Sequence, residues 1–254
     1  MPHTTPKAQL DWPQLRAGTL VRRYKRFLAD VRLRNGHLVT AHCPNSGSMK
    51  TCSEPGRTVF LSRSDNPRRR LRYTWEIIAM PGSLVGTNTT VPNLLVREAI
   101  VRDVIPALTG YESVRAEVPY GVNSRIDLLL TSKSAERCYV EVKNCTLVQD
   151  RVSYFPDAVT ARGLKHLVEL QNMVLQGHRA AIFFLIQRMD ADTFLPADHV
   201  DPAYGQELRR AVRNGVTILA YDVILDLHCI SLNRSIPHEF LFSRYRACQV
   251  ESDF

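Results

Sequence analysis

Two short apolar runs carry charges where a buried strand would hold hydrocarbon. Ser124-Arg-Ile-Asp-Leu-Leu-Leu130 contains Asp127, and Cys138-Tyr-Val-Glu-Val-Lys-Asn144 contains Glu141 and Lys143. Side chains alternate along a strand, so Glu141 and Lys143 share one face while Val140 and Val142 share the other. An ionised carboxylate is costly to bury unless it is paired or bound to metal. Two carboxylates and a lysine on neighbouring strands therefore point to a divalent cation, Mg2+ or Mn2+. Asp127, Glu141 and the backbone carbonyl of Val142 are the expected oxygen ligands. The chemistry that fits is phosphodiester hydrolysis. The metal would lower the pKa of a bound water, while Lys143 would orient the nucleophile and offset charge developing on phosphate. The plain alternative is an ion pair between Glu141 and Lys143 on an exposed strand.

The elements around these residues predict how they are positioned. Leu94, Glu98, Val101 and Ile105 recur at helical spacing, which predicts a helix from about Pro92 to Leu108 with those residues on its apolar stripe. On that stripe Glu98 either reaches the metal site or lies at the domain edge. Strands are expected at Ala116 to Tyr120, Arg125 to Leu130 and Cys138 to Asn144, then a helix from about Thr160 to Gln176 capped by Gly177. Thr160, Arg162, Lys165 and His166 cluster near the start of that helix, where phosphate is favoured. Gln171 falls on its apolar face, either in the site or bonded within the core. Ala180 to Ile186 is continuously apolar, as in a strand buried on both faces, and a helix (Pro202 to Asn214) and strand (Val216 to Leu225) follow. This order describes an α/β domain with a mixed sheet flanked by helices.

The first third reads differently. Short β-rich runs at Leu20 to Leu28, Val31 to Leu33, Leu38 to Ala41, Thr58 to Leu61 and Tyr73 to Met80 alternate with turn signals, among them Asn35-Gly36, which favours a type I′ hairpin. Five short strands without a helix suggest a small all-β barrel of the OB type. Residues 1–91 hold 15 Lys and Arg against 5 Asp and Glu, whereas residues 92–254 hold 18 against 20. The whole surplus of +8 therefore lies in the barrel, which marks it as the polyanion-binding module. Arg22, Arg23, Tyr24, Lys25 and Arg26 interleave cations with an aromatic ring, as single-strand binders do, and Arg68, Arg69, Arg70 and Arg72 extend the charge. The Asn45-Ser-Gly-Ser48 loop reads either as a backbone anion nest or as a plain turn.

The composition, 44% hydrophobic and 23% charged, excludes a disordered or collagen-like chain. The six cysteines form no C-x-x-C pair, so no zinc site or disulfide framework is signalled. No apolar run reaches the ~18 residues of a membrane helix, and the start of the chain lacks the apolar segment of a signal peptide. A soluble, cytoplasmic protein is the expectation. No helix-turn-helix is evident, which argues against base-reading DNA recognition. The expected partner is DNA, single- or double-stranded and bound with little sequence preference. RNA is a further polyanion such a surface would tolerate, and a homo-oligomer is compatible with the sequence.

Taken together, a helix, an aspartate on a second strand and Glu-x-Lys on a third resemble the PD-(D/E)XK restriction-endonuclease-like superfamily, although Ile126 replaces its proline. Over nearly its whole length the chain also resembles the sugar fermentation stimulation protein (SfsA) family. The residues that carry this resemblance are Gly18 to Phe27, His42 to Met49, Ser64 to Pro67, Tyr73 to Glu76, Asn123 to Asp127, Tyr139 to Asn144 and Phe155 to Thr160. The resemblance implies an OB-like domain (1–91) and a nuclease-like domain (92–230), while residues 231–254, a C-terminal tail of uncertain structure, lie outside it. It also implies DNA binding linked to regulation of sugar (maltose) metabolism, which is compatible with either a nuclease or a non-catalytic regulator. In that superfamily a first-helix glutamate often reaches the metal, the role Glu98 would take.

Overall fold

The structure, a computed structural model, describes residues 8–238. Its strands and helices in chain order are β1 (Gln9–Asp11), β2 (Leu15–Tyr24), β3 (Leu28–Leu33), β4 (Leu38–His42), β5 (Thr58–Arg63), β6 (Tyr73–Met80), β7 (Ser83–Gly86) and α1 (Val91–Val101). There follow β8 (Ser113–Tyr120), β9 (Ser124–Thr131), β10 (Arg137–Cys145), β11 (Leu147–Gln149), β12 (Val152–Phe155) and α2 (Ala161–Leu175). The chain continues through β13 (Arg179–Ile186), β14 (Thr193–Pro196), α3 (Pro202–Arg213), β15 (Thr217–Leu225) and β16 (Cys229–Ser235).

Strands β2 to β6 close into a five-stranded barrel through the parallel contact of β4 with β6, Ala41 opposite Tyr73, and β7 extends the sheet beyond β6. Inward residues Leu20, Val31, Ala41, Val59, Leu61 and Trp75 fill its core. The expected single strand from Leu20 to Leu28 is instead two strands. Lys25 and Arg26 both have positive φ and reverse the chain between β2 and β3, and a register shift follows Leu20. The simple alternation expected for Arg22, Tyr24 and Arg26 is thereby broken. At Asn35-Gly36 only Gly36 has positive φ, so that turn is not type I′, which needs both.

The second module is a seven-stranded mixed sheet in the order β1-β16-β15-β13-β10-β9-β8, with β10, β13 and β15 parallel. β13 is buried on both faces as its apolar run predicts. Ala181, Phe183 and Leu185 face α1 and the barrel side, while Ile182, Phe184 and Ile186 face α2 and α3. Both ends of the chain differ from expectation. β1 leaves the barrel segment and pairs with β16, a strand made partly from the expected tail, because the apolar Leu10 and Ile230 complete the sheet edge over the α1 core. The rest of that expected tail, 239–254, lies outside the described residues.

Helix α1 is rotated relative to expectation. Its buried residues are Val91, Pro92, Leu95, Val96, Ala99 and Ile100, and Leu94 and Val101 are 54% and 58% exposed. Two apolar stripes fit the same period, and the wider one, which removes more apolar area from water, faces the sheet. The helix stops at Val101, short of Leu108, and Pro106 opens a separate 3-10 turn. No described helix is long and apolar enough to cross a membrane.

Candidate metal centre

The β9–β10 ladder runs from Thr131 opposite Arg137 to Leu128 opposite Val140 and stops there. At the next position the Asp127 carboxylate replaces the ladder bond: its Oδ2 accepts the Val142 N–H at 2.7 Å. Its Oδ1 accepts the Asn93 amide of α1 at 2.9 Å. The splayed strands thus expose main chain at Val142 beside a fixed carboxylate. On β10, Lys143 Nζ donates to Glu141 Oε1 at 2.6 Å and lies 3.2 Å from His166 Nδ1, which also contacts Glu141 Oε1. Glu141 is 2% exposed, and its Oε2 has no hydrogen-bond partner.

Burial, reinforced by Glu141, pushes the Asp127 carboxyl up to about 6. Burial also acts to raise Glu141, but Lys143 and His166 outweigh it and hold that carboxyl below its ordinary value. A buried oxygen without a partner is rare. The Glu141 and Asp127 carboxylates and the Val142 main chain are hard oxygen donors, a set whose chemistry fits a divalent cation. Among the described residues no group of three or more His, Cys, Asp or Glu could hold a metal. Two carboxylates supplemented by main chain and water suit Mg2+, Mn2+ or Ca2+ and not a structural zinc.

Asp127 and Lys143 lie in a cleft of about 500 Å3 whose walls come from both modules. The barrel contributes Arg26 and the loop Asn45-Ser46-Gly47, and the α/β module contributes Asn93, Asn144, Asp157, Thr160 and Arg162. Ser48 Oγ donates to the Asp157 carbonyl at 2.7 Å, and the Met49 N–H donates to Asp157 Oδ2 at 3.1 Å. A Cβ on Gly47 would stand 2.4 Å from Asp157 Oδ2, so any side chain there would require the Asp157 carboxylate to move. The loop is no anion nest. The Gly47 N–H is taken by Asn45 Oδ1, and the carbonyls of Asn45, Gly47 and Ser48 accept from Arg23.

The other expected site residues divide clearly. Glu98 does not turn toward the site: it pairs with Arg102 at the helix surface, because α1 presents its other stripe to the sheet. Gln171 is a core residue that ties α2 to Glu207 and Asn214. Thr160 caps α2 by accepting the Gly163 N–H and also lines the cleft. Arg162 lines it too, His166 touches Glu141, and Lys165 donates to the Val122 carbonyl at 2.6 Å.

In the barrel, Arg23 is committed to main-chain carbonyls, and Arg22 and Tyr24 both bond to buried Asp30. Arg22 stays largely exposed over the Tyr24 ring. Lys25, Arg68, Arg70 and Arg72 are exposed, and Arg69 donates to Thr74. Sequence reasoning missed Asn93 and Asp157. Asn93 is a polar residue beside the buried stripe, but the misphased stripe concealed it. Asp157 acts through a contact between modules that no local pattern encodes.

Residues 21–87 match the description "SfsA N-terminal OB domain", and residues 90–228 match "Sugar fermentation stimulation protein RE domain". A sugar fermentation stimulation protein homolog of Geobacter sulfurreducens is 56% identical over 223 residues, 88% of this chain and 95% of that protein. One from Acidithiobacillus ferrooxidans is 51% identical over 229 residues, 90% and 99% of the two chains. Among solved structures, Pyrococcus furiosus SfsA in complex with Ca2+ superposes with a TM-score of 0.85 at 24% identity, covering 92% of this chain and 99% of that one. With an OB barrel at its start, a mixed sheet flanked by helices after it and relatives of this identity along nearly all its length, the chain belongs to the sugar fermentation stimulation protein (SfsA) family.

Proposed function

We propose that the chain is a divalent-metal-dependent nuclease that binds DNA with little sequence preference and hydrolyses phosphodiester bonds in the cleft between its modules. The observation that carries this reading is the buried Glu141 carboxylate, paired through Oε1 with the cleft residue Lys143 and partnerless at Oε2, close enough to Asp127 for the two carboxylates to repel. Leaving a buried carboxylate oxygen without a partner costs free energy that a bound cation would recover. The Ca2+ found with Pyrococcus furiosus SfsA supports the same reading.

Asp127, Glu141 and the Val142 carbonyl would hold Mg2+ or Mn2+, which when bound supplies an acidified water and positive charge for the phosphate. Asn93 and the Val142 N–H fix the Asp127 carboxylate in one orientation. Lys143 keeps its ammonium beside Glu141, where it can orient a water and offset charge on a scissile phosphate. Arg26 and Arg162, on opposite modules, offer guanidinium groups to flanking phosphates.

The test is cleavage of single- and double-stranded DNA by the wild type, Glu141→Gln and Asp127→Asn in Mg2+, Mn2+ and EDTA, with metal binding followed by calorimetry. Cleavage by the wild type alone, and only with metal, is expected. DNA binding without cleavage or metal uptake would make the chain a non-catalytic DNA-binding regulator instead.

A further inference from the structure

A second cavity, about 470 Å3, lies on the far side of Arg162 from the metal cleft, between the tip of the β8–β9 hairpin and α2. Arg125 of β9 and Arg162 and Lys165 of α2 bring three cations into it, against one carboxylate, Glu117. Arg125 is exposed and makes no hydrogen bond or ion pair among the described residues.

The cavity is held in shape by contacts beneath it. Lys165 donates to the Val122 carbonyl at 2.6 Å, and the Val122 N–H donates to the buried Glu169 Oε1 at 3.2 Å. A Cβ on Gly121 would meet the Glu169 carboxyl at 2.9 Å, so the hairpin tip sits directly on that side chain. Arg162 lines both cavities, and its Nε donates at 3.4 Å to Nε2 of His166, which lines this one and touches Glu141 through Nδ1.

Lys165 also pairs with Glu169 at 3.7 Å, which leaves Arg125 and Arg162 without a carboxylate partner, and such cations in a shaped concavity attract polyanions because little ordering is needed when the ligand arrives. Resting on the proposed nuclease reading, we infer that this cavity is a second backbone-binding subsite. It would receive the phosphates of a single DNA strand as that strand leaves the metal cleft past Arg162. The strand's path would then run from Arg26 on the barrel, over Asp127 and Lys143, past Arg162 to Arg125. Both cavities, about 500 and 470 Å3, have the volume of pockets that hold single nucleotides.

The test is fluorescence anisotropy with a fluorescein-labelled 12-nucleotide oligothymidylate in Ca2+ at several salt concentrations. It compares the wild type, Arg125→Ala, Arg125→Glu and the charge-matched control Arg137→Ala, which lies opposite Thr131 at the other end of β9. Arg125→Ala should weaken binding about three- to tenfold and reduce the log–log salt slope by about 0.7, one single-strand phosphate contact. Arg125→Glu should weaken it further, and Arg137→Ala should leave both quantities as in the wild type. Thermal melts should stay together, since neither arginine bonds to the fold. If the wild type binds the strand and Arg125→Ala matches Arg137→Ala, the subsite is disproved while the nuclease reading stands. If the wild type fails to bind at any salt, both are overturned.

Discussion

The Oδ2 of Asp127 takes the Val142 N–H at 2.7 Å where a neighbouring strand would otherwise supply a carbonyl. The carboxylate is thus both a ladder partner and a prospective metal ligand, and it sits where β9 and β10 part. Holding this carboxylate buried, with its pKa raised, costs the fold stability above the folded value. Its neighbour Glu141, held by Lys143 and His166, is the opposite case.

Asp127→Asn should therefore stabilise the metal-free protein. The unfolded carboxyl titrates near 3.8 and the folded one at about 6, so the fold binds this proton more tightly. Below the unfolded value both states are protonated and nothing is lost. As pH rises through the folded value, a penalty of up to about 3 kcal/mol develops. Urea unfolding in EDTA at pH 7.5 should show the variant about 1–3 kcal/mol more stable, with the gain gone at pH 4. Equal stability at pH 7.5 would contradict the raised carboxyl.

Glu141→Gln should do the reverse. Its carboxylate stabilises the fold above its unfolded value, and that contribution is lost as pH falls through the lower folded value. Removing the charge at pH 7.5 leaves Lys143 nearly buried without its ion partner, a loss of about 3–5 kcal/mol. Opposite shifts in unfolding midpoint for Asp127→Asn and Glu141→Gln check the assignment in one experiment.

Divalent metal should raise the melting temperature. At about 100-fold over its dissociation constant a ligand adds about 2.7 kcal/mol, which for a chain of this size is about 5–10 °C. The rise should be present at pH 7.5 and largely absent at pH 5, where Asp127 is mostly protonated. Scanning calorimetry with Mg2+ or Ca2+ at the two pH values measures this, and an equal rise at both would exclude Asp127 as a ligand.

The barrel's arginines should separate into two kinds. Replacing Arg68, Arg70 and Arg72 together by Ala should lower the single-strand salt slope by about 2 with little change in melting temperature, since all three are exposed. Arg23→Ala should instead cost about 1–3 kcal/mol of stability, because three carbonyls of the 45–48 loop lose their donor. Anisotropy titrations and melts on both variants distinguish them.

Gly47→Ala should damage the site without touching a ligand. The added Cβ meets the Asp157 carboxylate at 2.4 Å, and moving that carboxylate aside breaks its bond to the Met49 N–H between the modules. A loss of about 1–3 kcal/mol is expected, together with weaker DNA binding. Unchanged affinity would mean that the barrel wall of the cleft is dispensable.

Sequence by itself determined the two modules, the barrel charge and the Asp127, Glu141 and Lys143 set, because alternation along a strand is local and a charge within an apolar run stands out. The double-sided burial of β13 and the extent of α2 were legible for the same reason. Tertiary structure alone decided which stripe of α1 faces inward, and with it the exchange of Glu98 for Asn93 at Asp127. It also decided that Arg23 serves the fold, that β1 crosses to the second sheet and that Asp157 joins the modules. Periodicity fixes the spacing of a face but not its partner, and contacts between residues more than a hundred positions apart leave no local pattern to read.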